Sequence, residues 1–266
     1  MQKPVEFDKG CYVGTKVTEY IFGGIITSET IFQENYISEW HYHQNPHFSH
    51  ILAGGSKELR PRETQTQFQG DGLYYYPGIP HRNLAYRPGT RIFNIEIEES
   101  FFKAYDLNIP ATDLMFSDRI KVNSSGLLKL LKQHYWLDQH SRIAIEQLCI
   151  ELIASYPAAT RYSPIWSRNI ITVLNDHWDQ TLSLAALSAK VNIHPVTLSK
   201  YFSRYFRCSL GDYARKIKID RALNLIRSQK LSLTEIAYQC GFFDQSHFTK
   251  TFHLFTGMLP KQYRKL

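Results

Sequence analysis

The chain has 266 residues, 43% hydrophobic and 14% aromatic, enough for one large globular domain or two ordinary ones. No apolar run is long enough to span a bilayer, and the opening MQKPVEFDKG has no apolar signal core, so membrane and secretory roles are not expected and a cytoplasmic location is. The net charge of +7 is uneven: residues 1–160 hold 15 Lys/Arg against 18 Asp/Glu, and residues 161–266 hold 16 against 6, so a front half at −3 precedes a back half at +10. Only the back half is suited to a polyanion.

In chain order, residues 20–98 alternate like strands. In RIFNIEIE, Phe93, Ile95 and Ile97 face one way, and Asn94, Glu96 and Glu98 the other. Turn chemistry at AGGS, QGDG and RPGT separates short strands, which predicts a β-sandwich or small barrel. Within it, WHYHQNPHFSH (Trp40 to His50) gathers four of the 11 histidines. Two helices follow, SSGLLKLLKQHYWLD and SRIAIEQLCIELIASY. The second carries an apolar stripe of Ile145, Leu148, Cys149 and Leu152, which can cover the barrel or meet a second copy of the chain. Cys11, Cys149, Cys208 and Cys240 lie far apart with no CxxC pair and read as reduced, buried thiols.

The stretch YPAATRYSP reads as a linker, which divides the chain into 1–157, 158–163 and 164–266. Everything beyond it has helical periodicity and an internal repeat. LSLAALSAKVNIHPVTLSKYFSRY aligns with LSLTEIAYQCGFFDQSHFTKTFHLF at an offset of 49, then 50. Each unit reads as helix, tight turn, helix. Ser232 and Glu235 form a capping box, Asn192 and Gly241 supply left-handed residues, and Asp244 caps the last helix. This is a helix-turn-helix used twice. The second helix of each unit points Leu198, Phe202 and Tyr205, or Phe248, Phe252 and Phe255, inward, and presents short polar groups and a cation outward, as a major-groove reader must.

Residues 165–266 resemble the DNA-binding domain of the AraC/XylS family of transcription regulators. RALNLI, SLTEIAYQCGF, SHFTKTFHLFTGMLP and QYR stand in the order and spacing of that family's signature. The resemblance implies seven helices, with a long middle helix over about 209–228 joining the two units. It places base-reading residues at Val196, Thr197, Ser199 and Lys200 in the first unit and at Ser246, His247 and Lys250 in the second, with Gln245 beside them. Arg204, Arg207 and Lys261 fall where phosphates would be met. His194 replaces the serine that usually opens the first reader, and lysines stand where arginines are common. The family also implies double-stranded DNA, RNA polymerase and a second copy of the chain as partners.

The front half resembles a cupin-like sensor domain through HYHQNPH and YYYPGIPHRN. The fold expected is therefore α+β in two domains: a cupin-like barrel with trailing helices, then an all-α domain with two helix-turn-helix units. His41, His43 and His81 occupy three ligand positions of the cupin pattern, and His47 stands at its glutamate position. The histidines could hold a transition metal (Zn, Fe, Ni or Cu) or act as metal-free hydrogen-bonding groups. Trp40, Tyr42, Tyr74, Tyr76 and Tyr86 are candidate walls for a small organic effector. An effector-responsive regulator, not an enzyme, is the expected function. The alternative is a metal-dependent cupin enzyme fused to a DNA-binding domain.

Overall fold

A computed structural model describes residues 3–61, 63–110, 122, 124–156, 165–180, 182–206, 208–227 and 230–266. The linker expected at 158–163 lies outside them, as do Ser163, Pro164 and Arg207.

Among the described residues the front half has ten strands: β1 (Val5–Phe7), β2 (Thr15–Phe22), β3 (Ile25–Ile31), β4 (His41–His43), β5 (His47–Ala53), β6 (Lys57–Arg60), β7 (Glu63–Thr66), β8 (Gly72–Tyr75), β9 (Arg82–Leu84) and β10 (Arg91–Ile97). They form a five-stranded sheet in the order β2-β3-β10-β5-β8, a three-stranded sheet β7-β6-β9, and a parallel pair β1-β4 tied on by a bridge between His41 and His81. The sheets line a small cavity.

Central strands β5 and β10 are buried on both faces, and their alternation sorts two interiors. Phe93, Ile95 and Ile97 join the main apolar core with Phe48 and Leu52. Ser49 and Asn94 face the cavity, where Ser49 Oγ donates to Asn94 Oδ1 at 2.7 Å. The polar face of β10 is thus the barrel interior and not a solvated surface.

Among the described residues ten helices follow or flank the sheets: α1 (Glu99–Ala104), α2 (Ser124–Trp136), α3 (Ser141–Ala154), α4 (Ile165–Asp176), α5 (Leu184–Val191), α6 (Pro195–Phe206), α7 (Leu210–Arg227), α8 (Leu233–Gln239), α9 (Gln245–Thr256) and α10 (Pro260–Tyr263). The seven from α4 onward, with α7 as the long middle helix, are the expected set. The stripe on α3 goes inward within its own chain: Ile145, Cys149 and Leu152 are buried against the front core and Leu148 is partly buried beside them. Of the other cysteines expected to be buried, Cys240 is, whereas Cys11 is exposed and Cys208 half-buried.

Local chemistry sets the helix ends. Ser232 Oγ accepts from the Glu235 N–H at 3.2 Å while Glu235 Oε2 accepts from the Ser232 N–H at 2.7 Å, a complete capping box on α8. Ser183 caps α5, and Asn192 ends it in the left-handed region at φ 54°. Gly241 follows α8 at φ 68°, where an added Cβ would lie 2.8 Å from the Asp179 carbonyl oxygen.

The apolar cores do not divide where the linker does. One cluster holds Phe48, Leu52, Phe93 and Ile95 of the sheet, Leu127, Leu128, Leu130 and Leu131 of α2, and Leu223, Ile226, Ile236, Phe248, Phe252 and Tyr263 of the second helix-turn-helix. A separate cluster of Ile170, Leu174, Leu187, Val191, Leu198, Phe202 and Ile217 belongs to the first. Helix α2 is a wedge buried on several faces, between the barrel and α9.

Candidate nucleic-acid interface and histidine cavity

Each helix-turn-helix buries one side of its second helix and leaves the other in solvent. On α9, Phe248, Thr251 and Phe252 are buried, while Gln245, Ser246, His247, Lys250 and His253 are exposed. Asp244 Oδ1 accepts from the His247 N–H at 2.6 Å and fixes the first turn. Thr234 Oγ1 donates to Gln245 Oε1 at 2.5 Å, so the α8 helix holds the Gln245 side chain beside the reading face. The His247 ring packs edge-on against Phe242, with centroids 5.4 Å apart. On α6, Leu198 and Phe202 are buried, while Val196, Thr197, Ser199 and Lys200 are exposed. Phe206 stacks on Phe202 at 4.3 Å and packs edge-on to Tyr213. Nothing is described of the side chains of Arg204, Tyr205 and Arg207; Lys261 is exposed on α10.

Both readers thus present short polar groups and a lysine near the helix N-terminus, the pattern that reads base edges. A chain built this way carries a double helix-turn-helix module. Residues 187–266 match a family profile described as a helix-turn-helix domain. The HTH-type transcriptional regulator GbdR of Pseudomonas aeruginosa is 28% identical over 98 residues, which cover 37% of this chain and 27% of that protein. The Msm operon regulatory protein of Streptococcus mutans is 22% identical over 223 residues, 80% of this chain and 76% of that one. Among solved structures, the C-terminal domain of AraT, a response regulator from Geobacillus stearothermophilus, is 31% identical and covers 40% of this chain and 88% of that one, with a TM-score of 0.36. ToxT from Vibrio cholerae O395 is 11% identical over 91% of this chain and 97% of that one, with a TM-score of 0.39. The C-terminal region is an AraC/XylS-type helix-turn-helix domain.

The second site lies inside the barrel. Strand alternation turns His41 and His43 inward, and His81 reaches them across the His41–His81 bridge. One ring nitrogen from each of His41, His43 and His81 lies within 4.8 Å of the other two. His47 packs edge-on to His43 at 4.4 Å and stacks on Tyr75 at 4.3 Å. His41 Nδ1 pairs with the Glu39 carbonyl at 2.8 Å, and His81 Nδ1 with the Ile79 carbonyl at 3.1 Å. Such bonds fix the tautomer and leave each Nε2 a free lone pair. His43 Nδ1 is buried with no hydrogen-bond partner.

Burial, and then the neighbouring imidazoles, lower the pKa of His41 to about 4 and of His43 to about 2, and hold His47 well below the ordinary histidine range. Burial also lowers His81, opposed by the nearby Glu58 carboxylate. Glu58 itself accepts from Gln67 Nε2 at 2.6 Å and Tyr75 Oη at 2.7 Å. The cluster is therefore a set of neutral imidazoles, the protonation state a metal requires.

The cavity measures about 40 Å³ and is lined by Tyr12, His41, His43, His47, His81 and Tyr86, among others. That is room for an ion or about one water molecule, whereas organic ligands occupy about 300–1,000 Å³. Of the five aromatic residues expected to wall an effector pocket, only Tyr86 lines this one. Tyr42 sits between two inward histidines and so points out, its Oη donating to Glu6 at 2.8 Å. Trp40 precedes β4 and is half-buried. Tyr74 faces the helical core beside Phe48 and donates to the Pro110 carbonyl, and Tyr76 packs on the same side.

Residues not singled out from the sequence close the site. Strand β1 lies parallel to β4 and stacks Phe7 on His41 at 4.5 Å. Tyr12 rests 5.3 Å from His43 and 5.4 Å from His47, and its Oη donates to the buried Glu96 at 3.2 Å. Glu96 also accepts from the Gly10 N–H at 2.9 Å, which fastens this strap over the histidines.

Proposed function

We propose that the protein is a sequence-specific DNA-binding transcription regulator whose barrel senses a first-row transition ion. The observation that carries the first part is the pair of exposed reading faces on a segment with charge +10. Lys200, Val196, Thr197 and Ser199 would read one major-groove segment; Lys250, Ser246, His247 and Gln245 would read the next. Lys261, with Arg204 and Arg207, would meet phosphates. Lys250→Ala is expected to cost about 1–3 kcal/mol at the proper site and to relax sequence preference, because it removes a base contact. Lys261→Ala should weaken all duplexes alike and flatten the salt dependence. Titration of both variants against specific and random duplexes at several salt concentrations separates the two roles. RNA polymerase is the further partner this reading carries.

The second part rests on donor chemistry. His41, His43 and His81 would hold the ion, with His47 adjacent, and tetrahedral bonds of about 2.0–2.1 Å would require the three nitrogens, now within 4.8 Å of one another, to draw together to about 3.4 Å. Imidazole suits Zn, Fe, Ni or Cu. The ion would supply a fixed positive charge and no chemistry on a substrate. The small volume of the cavity favours this sensing role over a metal-dependent enzyme, which needs room for a substrate beside the ion. Full-length protein purified without an affinity tag is expected to take up about one equivalent of ion by elemental analysis, and His43→Ala to abolish uptake. Metal content unaltered by His43→Ala would contradict the assignment. A homodimer is also part of the proposal, through the exposed Trp136 and Ile143 at the outer corner of α2 and α3, since the inner stripe is occupied.

A further inference from the structure

The two helix-turn-helix units differ in what they are built on. The core of the first, centred on Leu187, Leu198 and Phe202, contains no residue of the barrel among those described. The second shares one continuous core with the barrel and α2. Direct polar contacts add to this junction. His50 Nε2 and Tyr263 Oη lie 3.2 Å apart, Arg91 donates to the main-chain oxygen of Leu266, and an added Cβ on Gly70 would fall 2.1 Å from Asn224 Oδ1. No room is left there for a slack connection.

One strand belongs to both the cavity and the junction. On β5, His47 and Ser49 face the histidine cavity, while Phe48, His50 and Leu52 face the shared core and are fully buried. His50 reaches Tyr263 of α10. The Tyr263 ring lies 5.9 Å from Phe252, on the buried side of α9, whose opposite side carries Lys250. Close-packed interiors transmit displacement because no void absorbs it.

From this we infer that the state of the histidine cavity is passed to the second helix-turn-helix and not to the first, through β5, with His50 and Tyr263 as the positioning residues. The inference rests on the ion-sensing reading for its natural trigger. The path itself can be driven without an ion. When His47 or its neighbours move, β5 must shift or tilt, and the side chains on its other face move with it. Those side chains are the floor on which α10 and α9 rest. Among the described residues the first unit approaches that floor through α7, through Trp178, which touches both cores, and at the turn where Asp179 meets Gly241, outside the cores under α9 and α10.

The test is hydrogen exchange, segment by segment, on the full chain. It compares protein with and without Zn²⁺, and wild type with His43→Ala in chelator. Zinc is expected to slow exchange several-fold in β5, α9 and α10 and to leave α5 and α6 unchanged. In Tyr263→Phe and His50→Phe, β5 should still respond while the response of α9 and α10 is lost. A merely structural role for these residues would change exchange equally with and without zinc. Absence of any zinc effect at β5 removes the ion-sensing reading, and the His43→Ala arm then decides the coupling. If β5 responds in either arm without α9 and α10, the inference is overturned. It is equally overturned if α5 and α6 respond as strongly as α9, or if β5 responds in neither arm.

Discussion

Leu131→Glu is expected to unfold the barrel and the second helix-turn-helix together. Leu131 is fully buried in the α2 wedge, with barrel strands on one side and α9 on another. A carboxylate there has no partner, and an unpaired buried charge costs about 3–5 kcal/mol, a large share of the 5–15 kcal/mol that typically holds a domain folded. Urea unfolding followed separately by hydrogen exchange in β5 and in α8–α9 should show both lost at the same, lower concentration. Two independently folded domains would behave otherwise: the barrel would melt early while α8–α9 kept its protection and its affinity for DNA. The same reasoning makes an isolated 164–266 fragment a poor substitute for the full chain. Cutting it free would expose Leu223, Ile226, Phe252 and Tyr263 where they meet α2 and the barrel.

Acid should act on the opposite side of β5. In chelator-treated protein, His41, His43 and His47 are neutral when folded and protonate in the unfolded chain near pH 6.5. Because their folded pKa values are depressed, the unfolded state binds more protons as pH falls. Their contribution is complete above pH 6.5 and is lost progressively from there towards pH 4, the value about which His41 titrates. Each unit of depression corresponds to about 1.4 kcal/mol, so His41 and His43 together should lose about 4 kcal/mol between pH 6.5 and 4.5, with His47 acting in the same direction. Unfolding free energies of wild type and of His43→Gln/His47→Gln, measured at both pH values, check this. The double variant should show a much shallower slope. Equal slopes would mean that the buried imidazoles are not the cause.

What could be read from the sequence, and what could not, follows the range of the interactions. Helix ends depend on residues three or four apart, so Ser232 with Glu235, Asn192, Gly241 and Asp244 could be read directly, and with them the double helix-turn-helix. The convergence of His41 and His43 follows from a period of two. Which face of a strand looks into the barrel does not, because β5, β8 and β10 have apolar cores on one side and a small polar cavity on the other. Tyr75 therefore lines the cavity, while Tyr74 and Tyr76 serve the helical core. The strap carrying Phe7 and Tyr12 is out of local reach, since Gly10 and Tyr12 bond Glu96 more than eighty residues away. An apolar stripe such as Ile145, Cys149 and Leu152 says that a helix is covered, not by what. Here the cover is its own chain.

The most direct test of the central claim is footprinting of the full-length protein on the DNA upstream of its own gene and its neighbours, at low salt. Two protected patches on one face of the duplex are expected, about one helical turn or 34 Å apart, one for each reading helix. Lys250→Ala should lose the patch of the second unit first, and Lys200→Ala that of the first. Failure of the intact protein to retain any duplex at low salt would contradict the account.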